Sequence, residues 1–296
     1  MTTPTTPEKS SIAPETVRDI SAPTPPPPAI APPVVEFKNV SKIYDGGTIA
    51  IQDVSFRVDD VASKGEFITI LGPSGCGKST VLRLIAGLTP QHPPTSGEVL
   101  VLGKPVLGPG QDRGMVFQDY TAFDNRTVLD NIAFGLECDG VDVKERYERA
   151  KETIEKVGLS ATRDAYKYPH QLSGGMRQRV AIAGTLIMRP KIILMDEPFG
   201  ALDPGTRYRM QDLLVSLWAE LEATIFFVTH SIEEAVYLGD RTIIMSPGPG
   251  RILQQLDVPP PDRPAKAMQR DPEFLQVVFS IRDTVEKLES STKAGD

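Results

Sequence analysis

Hydrophobic and polar positions divide the chain into distinct regimes. Residues 1–33 are dominated by Pro, Thr, Ser and Ala, ending in Pro23 and Pro25 to Pro28, and show no apolar periodicity. Such a composition cannot bury a core, so this stretch reads as a solvated, disordered or polyproline-type tail. Docking into an aromatic groove is the alternative use of such a run. From Val34 the pattern changes. VVEFKNVSKIY and IAIQDVSFRV alternate with period two, which predicts two antiparallel strands joined at Asp45-Gly46-Gly47. EFITILG is a short apolar run, followed by a Gly-rich loop and the helical pattern STVLRLIAGL. Residues 127–158 read as mostly helical, with apolar Val128, Ile132, Phe134 and Leu136 before the charged stretch KERYERAKETIEKV. KIILMDE and TIFFVTH are two further buried-looking strands, with helices expected over 176–188 and 207–221. Strands that alternate with helices imply a parallel sheet covered on both faces. RTIIMS and GRILQQLDV follow as short strands split by Pro247-Gly248-Pro249-Gly250. VPPPDRP ends the pattern. Beyond it, Phe274, Val278, Ile281, Val285 and Leu288 recur at helical spacing, which predicts a C-terminal helix packed on the body. The chain is thus expected to be α/β, with a folded domain over 34–258 and a linker plus amphipathic helix over 259–296.

Composition narrows the classes. The 296 residues are 40% hydrophobic, enough for a sizeable core, and carry a formal net charge of -7. That balance argues against a broad nucleic-acid interface, so no nucleic-acid partner is expected. Cys76 and Cys138 are too few for a disulfide framework or a four-cysteine zinc site, as in a reducing compartment. The start MTTPTTPEKS lacks the basic and apolar regions of a signal peptide. No apolar run approaches the ~18 residues a membrane helix needs. A role at a membrane would require a partner to hold the chain there.

The strongest chemical signal is Gly72-Pro73-Ser74-Gly75-Cys76-Gly77-Lys78-Ser79-Thr80, which fits G-x-x-x-x-G-K-[ST] between a predicted strand and helix. Glycines let backbone N–H groups turn inward around phosphate oxygens, and the helix presents its positive end to the anion. Lys78 is placed to reach the β- and γ-phosphates and the Ser79 hydroxyl to ligate Mg²⁺. Cys76 is an ordinary loop filler. In the second signal the strand ending Met195-Asp196-Glu197 delivers two acids where ligands of parallel sheets bind. Asp196 suits the Mg²⁺ shell, partly through water, and Glu197 suits a general base for an attacking water. The third is Leu172-Ser173-Gly174-Gly175-Met176, a Ser-Gly-Gly turn that opens a helix and makes a second anion-ready end. One nucleotide does not need two such ends. A head-to-tail pair of chains resolves this, with each γ-phosphate between the loop of one subunit and the turn of the other.

With these residues in order, the chain resembles the ABC transporter ATPase family across about residues 35–290. The resemblance implies a P-loop NTPase fold: a mostly parallel central sheet, an N-terminal antiparallel β subdomain, and a helical subdomain over about 119–180 that carries the LSGG signature. It implies ATP and Mg²⁺ as ligands. It casts Gln118 as a residue that contacts Mg²⁺ and senses the γ-phosphate. Asp203, in Ala201-Leu202-Asp203, falls on the loop that crosses the dimer interface; His230 would hold the γ-phosphate and orient water, and Tyr44 would stack on adenine. FQDYTAFDNRTVLDNIAFGLE, THSIEEAVYLGDR and MSPGPGRI are similar to ATPases of nitrate, sulfonate and taurine importers. In that setting the partners are a second ATPase subunit, transmembrane permease subunits and a solute-binding protein, at the cytoplasmic face of the membrane. The surface from Tyr120 to Arg126 would receive a short permease helix, with Tyr120 and Phe123 lining the groove. Met176 stands where many signatures have Gln, a variation shared with the nitrate/taurine group. The rival reading is a non-transport ABC ATPase in DNA repair, chromosome structure, translation or assembly. Neither a long coiled coil between Lys78 and Asp196 nor a cysteine-rich zinc module is encoded.

Overall fold

The computed structural model describes residues 18–19, 32–60, 65–120, 122–259 and 261–293. The tail expected over 1–33 lies almost wholly outside them. Within it a short strand, β1 (Arg18–Asp19), is described.

The predicted hairpin forms as β2 (Val35–Ile43) and β3 (Ile49–Val58), with Gly46 and Gly47 in the left-handed region at φ 96 and 84°. Then come β4 (Phe67–Leu71), α1 (Lys78–Ala86), β5 (Ser96–Val101), β6 (Lys104–Pro105) and β7 (Arg113–Val116). The helical portion holds α2 (Val128–Cys138), α3 (Val143–Lys156), a 3₁₀ turn at Pro169–Gln171, and α4 (Gly174–Leu186). The Thr127 hydroxyl accepts the Asp130 amide and the Asp130 carboxylate accepts the Thr127 amide, which closes the first turn of α2. Next are β8 (Ile192–Asp196), α5 (Pro204–Trp218), β9 (Thr224–Thr229), α6 (Ile232–Leu238), β10 (Arg241–Met245) and β11 (Ile252–Asp257). The chain finishes with α7 (Ala265–Met268) and α8 (Pro272–Lys293).

Seven strands form the central sheet in the order β1-β11-β10-β4-β9-β8-β7. The pairs from β10 to β7 are parallel, and β11 joins β10 and β1 antiparallel. A four-stranded antiparallel sheet, β3-β2-β5-β6, lies in the N-terminal half. The parallel strands are buried on both faces, and successive side chains feed two different cores. Phe67, Ile193, Met195, Ile225 and Phe227 pack toward the helices α2 to α6 and α8. Ile68, Ile70, Leu194, Phe226 and Val228 pack toward α1 and the antiparallel sheet.

Some expected boundaries move. The helix expected over 176–188 begins at Gly174, because Ser173 caps it, and ends before Arg189, whose φ of 50° cannot continue a helix. It carries the helical portion to Leu186 rather than 180. The helix expected over 207–221 begins at Pro204 under an Asp203 cap and ends at Trp218. Phe274, Val278 and Ile281 of α8 are buried as expected. No helix among the described residues is long and apolar enough to cross a membrane.

Candidate functional site

The loop between β4 and α1 is shaped by its glycines. Gly77 has φ 93°, and a Cβ there would lie 2.4 Å from Ile51 Cγ2 and 2.7 Å from the Ala50 oxygen. Only glycine fits a turn that is both left-handed and pressed against β3. Lys78, 4% exposed, folds back along the loop. Its Nζ donates to the carbonyls of Gly72 at 2.8 Å and Pro73 at 2.9 Å. It also stands 3.7 Å from Glu197 Oε1. Pro73, Ser74 and Gly75 are accessible, whereas Cys76 is buried. Burial pushes the Cys76 thiol above its usual range, in keeping with a packing role. Thr80 Oγ1 lies 3.1 Å from the Tyr44 hydroxyl, which brings the half-buried end of β2 to the loop.

Ser79 Oγ donates to Asp196 Oδ1 at 2.7 Å. Asp196 is 1% exposed. Burial raises its carboxyl above the ordinary value, against the lowering by the Ser79 hydrogen bond and by Arg83. Arg83 Nη2 sits 3.7 Å away. The Arg83 contact was not read from the sequence; its position one turn past Ser79 on a helix flanking the acidic strand was the available signal. Glu197 leaves the strand with φ 44°, in the left-handed region, and its amide donates to the Val228 carbonyl at 3.1 Å. Its Oε2 lies 3.2 Å from His230 Nδ1. The His230 ring is 57% exposed on the turn after β9. The adjacent parallel strands β4, β9 and β8 therefore converge Lys78, His230 and Glu197 at one sheet end. Gln118, two residues past β7, is exposed at the same end, since Val116 pairs with Met195.

The signature turn is placed differently. Ser173 Oγ accepts the Met176 amide at 3.3 Å as the cap of α4. Leu172 is buried, and Met176 packs partly into the larger core. Gly174 and Gly175 face Leu202 and Thr206; a Cβ on Gly175 would come within 2.8 Å of Thr206 Cγ2. Asp203 Oδ1 accepts the Thr206 amide at 3.0 Å. The signature turn and the Ala201–Asp203 loop are therefore neighbours. Among the described residues no hydrogen bond or ion pair joins Ser173–Met176 to Gly72–Thr80.

A hard divalent cation suits the Ser79–Asp196 pair. The donors are oxygens, and the buried carboxylate is only partly neutralised by Arg83. No cluster of three or more His, Cys, Asp or Glu suited to a metal exists among the described residues. Phosphate oxygens would have to complete the shell, as is usual for Mg²⁺.

The Tyr120–Arg126 surface mixes burial and exposure. Phe123 is 45% exposed, in edge contact with Phe134 at 4.6 Å, and the Arg126 guanidinium covers both rings. The Tyr120 hydroxyl is buried without a hydrogen-bond partner among the described residues, and burial pushes its pKa up to about 12. A cavity of about 690 Å³ opens at the opposite end of the sheet, beside Arg149, Lys156, Lys191 and Thr224, and none of the motif residues lines it.

The ABC transporter family model matches residues 51–200. The nitrate import ATP-binding protein NrtD of Synechocystis is 44% identical over 86% of this chain and 94% of its own length. The taurine import ATP-binding protein TauB of Escherichia coli is 43% identical over 80% of this chain and 92% of its own. The dimeric ATP-binding cassette MJ0796, solved in a post-hydrolysis state with ADP and Pi, superposes with a TM-score of 0.66 and is 34% identical, covering 76% of this chain and 99% of that one. A family match over half of the chain, and relatives more than 40% identical along most of it, place this chain in the ABC transporter family of ATP-binding proteins.

Proposed function

We propose that this chain is the ATP-hydrolysing subunit of an importer for a small solute of the nitrate, sulfonate or taurine type. It would work as a pair of cassettes held at the cytoplasmic face of the membrane by permease subunits and served by a solute-binding protein. The observation that carries this reading is the convergence of Lys78, Glu197 and His230 at the end of β4, β8 and β9. In use, Lys78 leaves the loop carbonyls for the β- and γ-phosphates. The backbone of Gly72–Thr80 surrounds the phosphates, and the Tyr44 ring stacks on the adenine. Glu197 accepts the proton of the attacking water, and His230 holds the γ-phosphate and fixes that water. Ser79, Asp196 and Gln118 would hold Mg²⁺, partly through water; the ion neutralises phosphate charge when bound. Leu172, Ser173, Gly174, Gly175, Met176 and Asp203 act on the nucleotide of the partner subunit. ATP therefore favours the closed pair, and hydrolysis removes the bridge. The exposed Phe123 supports docking of a permease helix on this surface.

The test is ATP turnover of wild type and Glu197→Gln, with size exclusion in ATP-Mg²⁺. A general base contributes about 10²–10⁴-fold, or roughly 3–5 kcal/mol. A loss of that size with an ATP-stabilised dimer is expected. Turnover retained in the variant would overturn the assignment of the base.

A further inference from the structure

Behind the catalytic pair lies a buried acid with no part in the chemistry so far. Glu234, on α6, is 7% exposed. An apolar side chain would fill this position without desolvation cost, so a carboxylate there calls for a purpose. Its Oε2 accepts the Thr229 hydroxyl at 2.6 Å, and its Oε1 accepts Gln211 Nε2 at 3.3 Å. Thr229 Oγ1 in turn accepts the Ser231 amide at 3.0 Å, a bond that spans His230. The Thr229 proton is committed to Glu234, which leaves its lone pair for Ser231. The other end of the network is α5. Gln211 and Arg207 both lie on that helix, which Asp203 caps. Arg207 Nε stands 3.7 Å from Glu234 Oε1, just beyond hydrogen-bond reach, and has no other hydrogen-bond partner among the described residues. A cavity of about 10 Å³, the size of one water, is lined by Glu197, His230, Arg207, Thr229 and Glu234.

We propose that Glu234 is a positioning residue for hydrolysis: through Thr229 it fixes the turn that carries His230, and through Gln211 and Arg207 it ties that turn to the helix capped by Asp203. The inference rests on the reading of His230 as part of the catalytic pair. A small approach of α5 to α6 completes the Arg207–Glu234 bond, so the helix that follows the interface loop sets how rigidly His230 is held. Burial also raises the Glu234 carboxyl above its ordinary value, against lowering by Thr229, Arg207 and Gln211.

The experiment measures kcat and KM for ATP in Glu234→Gln, Thr229→Val, Thr229→Ser and His230→Ala, with hydrogen exchange across residues 229–232. A misplacement of about 1 Å costs up to about 10²-fold in rate. Glu234→Gln and Thr229→Val are expected to lose about 10- to 100-fold in kcat, to keep KM within about twofold, and to exchange faster over 229–232. Thr229→Ser, which keeps the hydroxyl, is expected to stay near wild type. Thr229→Val keeps the β-branched shape of a strand residue, so it reports even if Glu234→Gln folds poorly. Full kcat in Glu234→Gln beside an inactive His230→Ala would overturn the proposal and leave the site reading standing. So would a kcat loss matched by a rise in KM and a lowered melting temperature. Full turnover in His230→Ala would instead remove the site reading on which the proposal stands.

Discussion

Tyr237→Phe isolates one hydrogen bond that clamps three helices. Tyr237 is 2% exposed on α6. Its hydroxyl donates to Asp212 Oδ1 on α5 at 2.7 Å, and the same oxygen accepts the Ala265 amide of α7 at 2.7 Å. A weaker contact reaches the Arg263 carbonyl at 3.4 Å. Burial, and then the bond to Asp212, push the phenol well above its usual range, so it remains a neutral donor. Removing the hydroxyl leaves the ring packing intact and strands no donor. A bond to a charged acceptor is worth about 1.5–3 kcal/mol. Asp212 is half-buried and keeps the Ala265 amide, so the lower end applies, about 1.5 kcal/mol. For a chain of this size that is a fall of roughly 3–6 °C in melting temperature. Urea unfolding followed by circular dichroism should show a lower midpoint at unchanged slope. An unchanged midpoint would refute the clamp. A loss above about 4 kcal/mol would show instead that the ring itself had repacked.

Further outcomes follow from other contacts. Asp164 accepts Lys167 Nζ at 2.6 Å and the Ser160 amide at 2.9 Å, and chiefly the Lys167 bond holds its carboxyl below the usual value. Its stabilisation is present above the ordinary carboxylate range and is lost as pH falls through the depressed value. Asp164→Asn should therefore cost about 1 kcal/mol at neutral pH, screened by the exposure of Lys167, and flatten the acid limb of a stability–pH curve. Gly250→Ala would place a Cβ 1.9 Å from the Cys76 carbonyl, forcing the β10–β11 turn off the phosphate loop. ATP binding by isothermal titration should weaken about tenfold, or ~1.4 kcal/mol; unchanged affinity would show that the turn does not brace the loop. Phe123→Ala should lower solute uptake by the assembled transporter while the isolated subunit keeps its ATP turnover; normal uptake would remove this surface from the docking site.

Legibility in the sequence followed locality. β4, β8 and β9 are continuous apolar runs because both faces are buried, and the phosphate loop needs only its own glycines and the helix after it. β5, β6 and β7 were not read. They lie among Pro90, Pro93, Pro94, Gly97, Gly103, Pro105 and Gly108, and β7 begins Arg113-Gly114, so their strand state comes from pairing, β5 with β2, β6 with β5 and β7 with β8, rather than from local pattern. α7 is four residues long and is held by Asp212, a partner far away in sequence. Glu197 and His230, singled out by motif, lie 3.2 Å apart, but the motif THSIEEA carries two adjacent acids. Nothing in it says that Glu234 turns inward while Glu233 faces Arg282. The run Ala235 to Leu238, all buried, was the signal that this helix has little room for an outward face.

The backbone at Glu197 has a consequence for anyone who redesigns this protein. A non-glycine residue in the left-handed region costs roughly 1–2 kcal/mol, and Glu197 sits there at φ 44°. The strain aims its carboxylate at Lys78 and His230 rather than along the strand. A glycine would relax the turn, so any procedure that ranks sequences by thermal robustness alone will favour Gly at this position. Such a protein would survive heat better and would have lost the carboxylate that stands beside Lys78 and His230. Selection for robustness and selection for turnover pull in opposite directions at this one residue, and the native chain has kept the strained, working choice.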